Sequence, residues 1–255
     1  MTYIAPIVFV VLLWWASTVV LLYRCGQPRN TFPGTLVGTA LAALLGLYLI
    51  WLGRGELTVF SAYASFTGAL LIWAFHETSY LLGVITGPRP RACPEGAGIR
   101  ERFKYGVQAS LYHELAIVLT AVLIAAICWR SANQTGLLTF AILWLMRWSV
   151  KLNIFLGVRN LHHEFWPSHL QYLQSYARTR AMNAWFPWVL AAAMLVGYFL
   201  FAAATGVDAH AAERTSAMLL LTILSLATLE HVLLMLPVPD ALLWRIGTRS
   251  RESVS

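Results

Sequence analysis

Imidazole and carboxylate side chains stand next to each other at four places in this 255-residue chain, which contains only 7 histidines. A neutral imidazole beside a carboxylate can ligate a transition metal, transfer protons or form hydrogen bonds, so the repeated pairing calls for a chemical explanation. The four pairs are His76–Glu77, His113–Glu114, His163–Glu164 and Glu230–His231.

Three of these pairs lie within long apolar stretches, where an ionisable side chain costs roughly 2.5 kcal/mol or more unless it is paired or hydrated. Two cations, Arg147 and Lys151, lie one helical turn apart in another apolar stretch. We therefore predict one shared polar site that also offers contacts to a pigment. Its members are His76, Glu77, His113, Glu114, Arg147, Lys151, Asn153, Glu230 and His231.

Three kinds of chemistry fit this residue set, and the sequence leaves all three open. A metal centre holding iron or zinc would take carboxylates and imidazoles from facing helices, although the Glu-x-x-His motif of bundle di-iron sites is absent. In the second alternative, one or more histidines ligate a tetrapyrrole, whose magnesium accepts a single axial nitrogen, or form a hydrogen bond to it. In the third alternative, the glutamates neutralise the two cations or protonated histidines and hold helices together. The candidate metal ligands are Glu77, His113, Glu114, Glu164, Glu230 and His231.

The elements that position these residues are predicted to be membrane-spanning helices. Hydrophobic residues make up 59% of the chain and charged residues 11%, whereas soluble domains carry about a quarter charged residues. Apolar runs of about 18 residues or more recur from end to end. We predict an all-α polytopic bundle, a single integral domain over 1–255 in the lipid bilayer. Its seven spans lie at about 3–23, 34–53, 58–84, 106–129, 135–157, 184–205 and 215–236.

The distribution of basic residues predicts an N-terminus outside and a cytoplasmic C-terminus, because Lys and Arg favour cytoplasmic loops. The connections after even-numbered spans carry only Arg54, Arg130 and Arg214. The long connections at about 85–105 and 158–183 are therefore expected in the cytoplasm, and the three intramembrane pairs roughly 10 Å below that surface. The basic residues on this side are Arg24, Arg29, Arg89, Arg91, Arg100, Arg102, Lys104, Arg159, Arg178, Arg180, Arg245, Arg249 and Arg251.

Other patterns narrow the possible partners and reactions. Leu170, Leu173 and Tyr176 recur at helical spacing in the second long connection, which predicts a short helix at the membrane interface. The isoelectric point is near 9.6, but the basic residues form no stripe, so we expect no nucleic-acid partner. The sequence contains no P-loop, no Gly-x-Gly-x-x-Gly and no Gly-x-Ser-x-Gly, so neither a phosphate-binding loop nor a serine nucleophile is indicated.

Eight separate motifs between about residues 60 and 245 resemble the photosynthetic complex assembly protein 2 family, also called PuhE. The position of His163 departs from the family pattern, whereas Glu164 fits it. The motifs are FHETSY at 75–80, TGPRP at 86–90, YHELA at 112–116, NQTGL at 133–137, RWSVKLNIFLGV at 147–158, EFWPSHL at 164–170, MNAWFP at 182–187 and LEHVLLMLPVPD at 229–240.

This resemblance implies a multi-pass inner-membrane protein of purple-type phototrophic bacteria. It implies a role in assembling the reaction centre and light-harvesting complexes, or in supplying their bacteriochlorophyll. The expected partners are photosynthetic complex subunits or bacteriochlorophyll enzymes, and the expected cofactor is bacteriochlorophyll or a precursor; no catalytic residues carry over. We expect a non-enzymatic assembly factor. The alternative is a membrane-bound metalloenzyme, di-iron-like or with another metal, acting on a tetrapyrrole or another lipophilic substrate.

Overall fold

The computed structural model describes residues 3–161 and 167–236, which form an all-helical bundle. Seven of its helices are long and apolar enough to cross a membrane, which confirms the predicted fold class. The predictions on His163 and Glu164 lie outside the described residues. The helices are α1 (Ile4–Cys25), α2 (Phe32–Gly53), α3 (Val59–Leu81), α4 (Ile99–Ile127), α5 (Thr135–Leu156), α6 (Phe186–Thr205) and α7 (Ala211–Met235).

Two helices begin before the apolar spans that hydropathy predicts. The chain enters α4 at Ile99 instead of about residue 106, and the Glu101 carboxylate accepts the Gly98 backbone N–H at 3.2 Å. The start of α7 is similar, because the carboxylate of Glu213 accepts the His210 N–H at 3.0 Å. An acidic side chain in the first turn satisfies a free N–H and complements the helix dipole. Polar first turns therefore extend both helices beyond their apolar segments.

Glycines let α2 and α3 cross in direct backbone contact. A Cβ atom placed on Gly46 would collide with the backbone oxygen of Gly68, and a Cβ on Gly68 would collide with that of Gly46. Between membrane helices, small residues permit this close approach and the dispersion contacts that follow from it. The second span, whose sequence carries no distinctive motif, is therefore fixed to the helix that carries His76 and Glu77.

A buried asparagine joins three helices where α2 ends and α3 begins. The Asn133 amide nitrogen lies 3.0 Å from the backbone oxygens of Gly53 and Ser61 and 3.1 Å from the Ser65 hydroxyl. Its amide oxygen accepts the backbone N–H of Thr135 at 3.0 Å, which caps the start of α5. Because the amide bonds to α2, α3 and α5 at once, it sets their relative height.

The long connection after α5 contains a 3₁₀ helix over Ser168–Tyr176, called the 168–176 helix below. Leu170, Leu173 and Tyr176 recur every three residues, and three residues per turn places them on one face of a 3₁₀ helix. All three are buried in one cluster with Tyr80 of α3 and Ala109 of α4. The predicted short helix is present, and its apolar face packs against the protein.

Polar contacts fasten the 168–176 helix to the end of α3 and to the loop that follows. His169 Nε2 donates to the Leu81 carbonyl at 2.9 Å, since a carbonyl can only accept. The Tyr176 hydroxyl donates to the Arg91 carbonyl at 2.7 Å. Burial raises the pKa of this hydroxyl above its usual range, so it keeps its proton for that bond at neutral pH.

The loop between α3 and α4 lies directly against the backbone of α4. The Thr86 carbonyl accepts the backbone N–H of His113 at 2.9 Å. A Cβ atom on Gly87 would collide with the backbone of Gln108 and Ala109, so the close approach requires glycine. This contact holds the loop beside the turn of α4 that carries one of the predicted site histidines.

Candidate functional site

Two ion pairs connect α3, α4 and α5 within the bundle. The Arg147 guanidinium lies 3.1 Å from the Glu77 carboxylate of α3. Lys151, one turn further along α5, places its Nζ 2.5 Å from the Glu114 carboxylate of α4. The other oxygen of Glu114 accepts a longer bond of 3.4 Å from the Trp144 indole. Residues four apart share one helix face, so a single stripe of α5 serves two neighbouring helices.

The structure thus brings four of the predicted site residues together as charge pairs. Glu77 and Glu114 are arranged as the ion-pair alternative describes, each with a cation from α5. Both pairs are largely shielded, with side-chain exposures between 13% and 28%. Shielded pairs between spans join helices, whereas either charge alone would be costly in lipid.

We call the two ion pairs together with Glu230 of α7 the charge group. Glu230 is arranged differently from the other two glutamates. Its carboxylate interacts electrostatically with Arg147, His231 and Glu77. Within 3–161 and 167–236 it forms no ion pair, and the residue is exposed. The group therefore combines three carboxylates with two cations. The acid that lacks a cation at close range is the exposed one.

His76 and His113 lie side by side behind the ion pairs. Their ring centroids are 6.3 Å apart, and the Tyr80 ring lies 4.5 Å from His113. The Thr120 hydroxyl donates to the Ala116 carbonyl, so at 3.0 Å it accepts from His76 Nε2, which must carry the proton. Both ring nitrogens of His113 are buried and have no hydrogen-bond partner in the part of the chain that the structure describes.

The histidine of α7 is hydrogen-bonded at both ring nitrogens. His231 Nδ1 donates to the Ala227 carbonyl at 2.7 Å, and in the neutral ring Nε2 accepts from the Ser149 hydroxyl at 3.0 Å. Ser149 Oγ also accepts the indole N–H of Trp185 at 3.3 Å. The same turn of α5 therefore contacts α7 through His231 and the start of α6 through Trp185.

Asn153 lies in this polar network and not in the ion pairs. Its side-chain nitrogen donates to the Ser149 carbonyl at 3.0 Å, and its oxygen accepts from Asn183 at 3.0 Å. Asn183 Oδ1 in turn accepts the backbone N–H groups of Trp185 and Phe186 at the start of α6. The predicted site thus consists of an ion-paired part, a histidine pair and this network.

The predicted metal ligands do not converge in the described part of the chain. No group of three or more His, Cys, Asp or Glu side chains there is arranged to hold a metal ion. Adjacent residues point about 100° apart on a helix, so Glu77 and Glu114 turn toward α5 while His76 and His113 turn toward each other. Glu164 lies outside the described residues, and the six-residue ligand set stays a prediction.

The three intramembrane histidines also offer no axial nitrogen at the surface of the bundle. His113 is fully enclosed, and His76 and His231 are 3% and 1% exposed. A macrocycle that coordinates through its metal needs an open face beside the nitrogen. These histidines as placed do not fit that mode of pigment binding.

Several residues of the site escaped the sequence-based prediction. Tyr80, Trp144, Ser149 and Asn183 contact the predicted members directly. One signal was present for Ser149, which lies between the two cations on α5. Tyr80 and Trp144 offered none, because aromatic residues are abundant in every span.

Comparisons with known proteins add one family and one relative. A family model described as "Protein of unknown function (DUF3623)" matches residues 1–255. A Rhodobacter capsulatus protein, "Uncharacterized 30.4 kDa protein in puhA 5'region", is 34% identical over 244 residues, which cover 92% of this chain and 86% of the relative. No solved structure matches.

Proposed function

We propose that this chain, which belongs to the DUF3623 family, is a bacterial inner-membrane factor. It assembles photosynthetic reaction centre and light-harvesting complexes or supplies their bacteriochlorophyll. The observation that carries the proposal is its similarity to the Rhodobacter capsulatus protein, whose description places it in the puhA 5′ region. The motifs quoted above, which resemble the photosynthetic complex assembly protein 2 family, support the same process.

The charge group supports a role in binding over a role in catalysis. Glu77 and Glu114 each neutralise a cation, so protonating either carboxylate would weaken an ion pair between helices. Glu230 is different, because it is exposed and has no close cation among the described residues. An exposed carboxylate in a span costs roughly 2.5 kcal/mol or more, which a cation or donor on a partner helix would offset. We assign the partner contact to this face of α7.

We further place the end of the bundle where α3 and α5 finish in the cytoplasm, because most basic residues lie at that end. This orientation puts the N-terminus outside and the C-terminus inside. In a cysteine-free background, an impermeant maleimide should label Glu56→Cys in intact spheroplasts and Glu95→Cys only after lysis. The reverse pattern would overturn the orientation without affecting the assembly role.

The assembly role is tested in a strain of the phototrophic host that lacks this gene. Membrane absorption spectra report assembled complexes, and solvent extracts report the pigments. We expect fewer assembled complexes, with bacteriochlorophyll as the extracted pigment and no accumulated precursor. An accumulated precursor would identify an enzyme of pigment synthesis instead, and normal levels of complexes would exclude the proposed role.

A further inference from the structure

A pocket of about 170 Å³ lies between α4, α5 and the 168–176 helix. Its base is polar, formed by Lys151, Glu114 and Ser110, and the Tyr80 ring borders it. Phe103, Val107 and Trp148, at the surface between α4 and α5, are 44%, 39% and 46% exposed. The pocket therefore opens sideways, toward the position of the lipid. Its apolar walls are Phe103, Val107, Trp148, Leu152, Phe155 and Leu173.

The charge balance at the base selects the kind of ligand. Glu114 already neutralises Lys151, so a second carboxylate from a ligand would leave an excess negative charge in an apolar site. The Lys151 ammonium has three N–H donors and makes one hydrogen bond to a described residue, which goes to Glu114. The ammonium also lies over the Tyr80 ring, whose centroid is 4.9 Å from Nζ. The remaining donor capacity suits an uncharged oxygen acceptor.

Size and wall chemistry restrict the ligand further. An engineered cavity of about 150 Å³ accommodates benzene, so this pocket has room for about one six-membered ring. Aromatic walls favour flat rings, which stack or meet them edge to face. The rest of a larger molecule would extend through the open side of the pocket into the bilayer.

We propose that this pocket binds a flat, uncharged lipophilic molecule by inserting a ring whose carbonyl oxygen accepts a hydrogen bond from Lys151. Two sources share that chemistry: an isoprenoid quinone, and a tetrapyrrole that presents a peripheral carbonyl. The proposal deepens the assembly function by naming a ligand class within the same charge group. Binding is measured on the purified chain, whereas assembly is measured in cells, so each can fail without the other.

The test measures thermal stabilisation of the full chain in detergent, because a ligand that binds only the folded state raises the unfolding temperature. A decyl-substituted benzoquinone is the first probe and its reduced quinol is the control, since reduction converts the carbonyls to hydroxyls. Bacteriochlorophyll is the second probe, detected by absorbance that co-elutes with the protein. If the quinone is the ligand, we expect it to raise the unfolding temperature saturably, and by at least severalfold more than the quinol does. If the pigment is the ligand, we expect it to co-elute with the protein in a stoichiometric amount.

Two variants show whether binding occurs in this pocket. Gly106→Leu fills it, because a Cβ atom there meets only the Tyr176 ring, 3.7 Å away. Gly38→Leu on α2 is the matched control, because nothing lies within 4 Å of a Cβ at that position. We expect Gly106→Leu to abolish binding of whichever probe binds, and Gly38→Leu to retain it.

A third variant removes the donor while keeping the charge balance. The pair Lys151→Met with Glu114→Met is expected to weaken binding about tenfold, as the loss of one hydrogen bond from a charged donor predicts. Equal binding by the Gly106→Leu variant would reveal partitioning into the micelle and overturn the proposal. Failure of both probes to bind the wild-type chain would overturn it as well.

Discussion

Lys151 of α5 and Glu114 of α4 form an ion pair with 2.5 Å between Nζ and Oε1, within a stretch that hydropathy assigns to the membrane. Beside it, Arg147 and Glu77 form a second pair at 3.1 Å. The two cations lie one turn apart, so a single face of α5 holds α3 and α4 together. Because each of these four charges has an oppositely charged partner, the apolar bundle can accommodate all of them at one site.

Breaking the first pair should destabilise the bundle. Glu114→Gln leaves the Lys151 charge without its carboxylate, at an expected cost of roughly 2.5 kcal/mol in unfolding free energy. Adding Lys151→Met should recover most of that loss, because the unpaired charge is then gone. Denaturant titration in mixed micelles measures both variants. Glu56→Gln, at an exposed loop position, serves as the control, and an equal loss in that variant would argue against the ion pair.

The crossing of α2 and α3 should be sensitive to a single methyl group. Gly46→Ala forces the two backbones apart, because its Cβ would collide with the backbone at Gly68. Gly38→Ala on the same helix meets nothing within 4 Å and should be neutral or slightly stabilising. Relative to the wild-type chain, the unfolding midpoint in detergent should fall for Gly46→Ala and should stay the same or rise slightly for Gly38→Ala. Similar midpoints would show that the crossing is looser than described.

The loop that carries Gly87 should lose its place on α4 when a side chain is added. Gly87→Ala places a methyl group against the backbone of Ala109 and displaces the Thr86 carbonyl from the His113 N–H. Hydrogen–deuterium exchange should become faster at His113 and across the loop. Gly55→Ala, with open space at its Cβ, should leave those rates unchanged. Unchanged exchange in Gly87→Ala would contradict the docked loop.

The two neighbouring histidines should respond differently to substitution by phenylalanine. His76→Phe removes the bond to Thr120 and should cost about 1 kcal/mol of stability. His113→Phe removes no hydrogen bond to a described residue and keeps an aromatic ring beside Tyr80, so it should cost little. Unfolding free energies compare the two directly. A larger loss for His113→Phe would show that this ring has polar contacts that the described residues do not supply.

The sequence predicts the helices and the depth of the charged residues better than it predicts their partners. Hydropathy locates all seven spans, and residue rise along a helix brings Glu77, Glu114 and the α5 cations to one level. Which side chain faces which helix depends on rotation about each axis, and hydropathy does not report it. Hence the adjacent His113 and Glu114 look like one unit in the sequence and point to different neighbours in the bundle.

Hydrogen bonds between residues that are distant in the chain are a second feature that the sequence does not predict. His76 bonds to Thr120 and Asn153 bonds to Asn183, in each case across two packed elements. Hydroxyl and amide side chains are common at helix ends and between membrane helices, so nothing in the sequence singles these residues out. The 168–176 helix is a contrasting case, because its buried residues recur every three positions and that spacing is visible in the sequence.

The central claim, that the chain acts on photosynthetic complexes through the exposed α7 face, is tested most directly by site-specific photocrosslinking in the phototrophic host. A photoreactive residue at Leu229, beside Glu230, is compared with one at Leu115, beside Glu114; these positions are 51% and 50% exposed. We predict that Leu229 crosslinks to a reaction centre or light-harvesting subunit, identified by mass spectrometry, and that Glu230→Gln reduces the yield severalfold. Equal yields at the two positions, or no crosslink to any such subunit, would contradict the account.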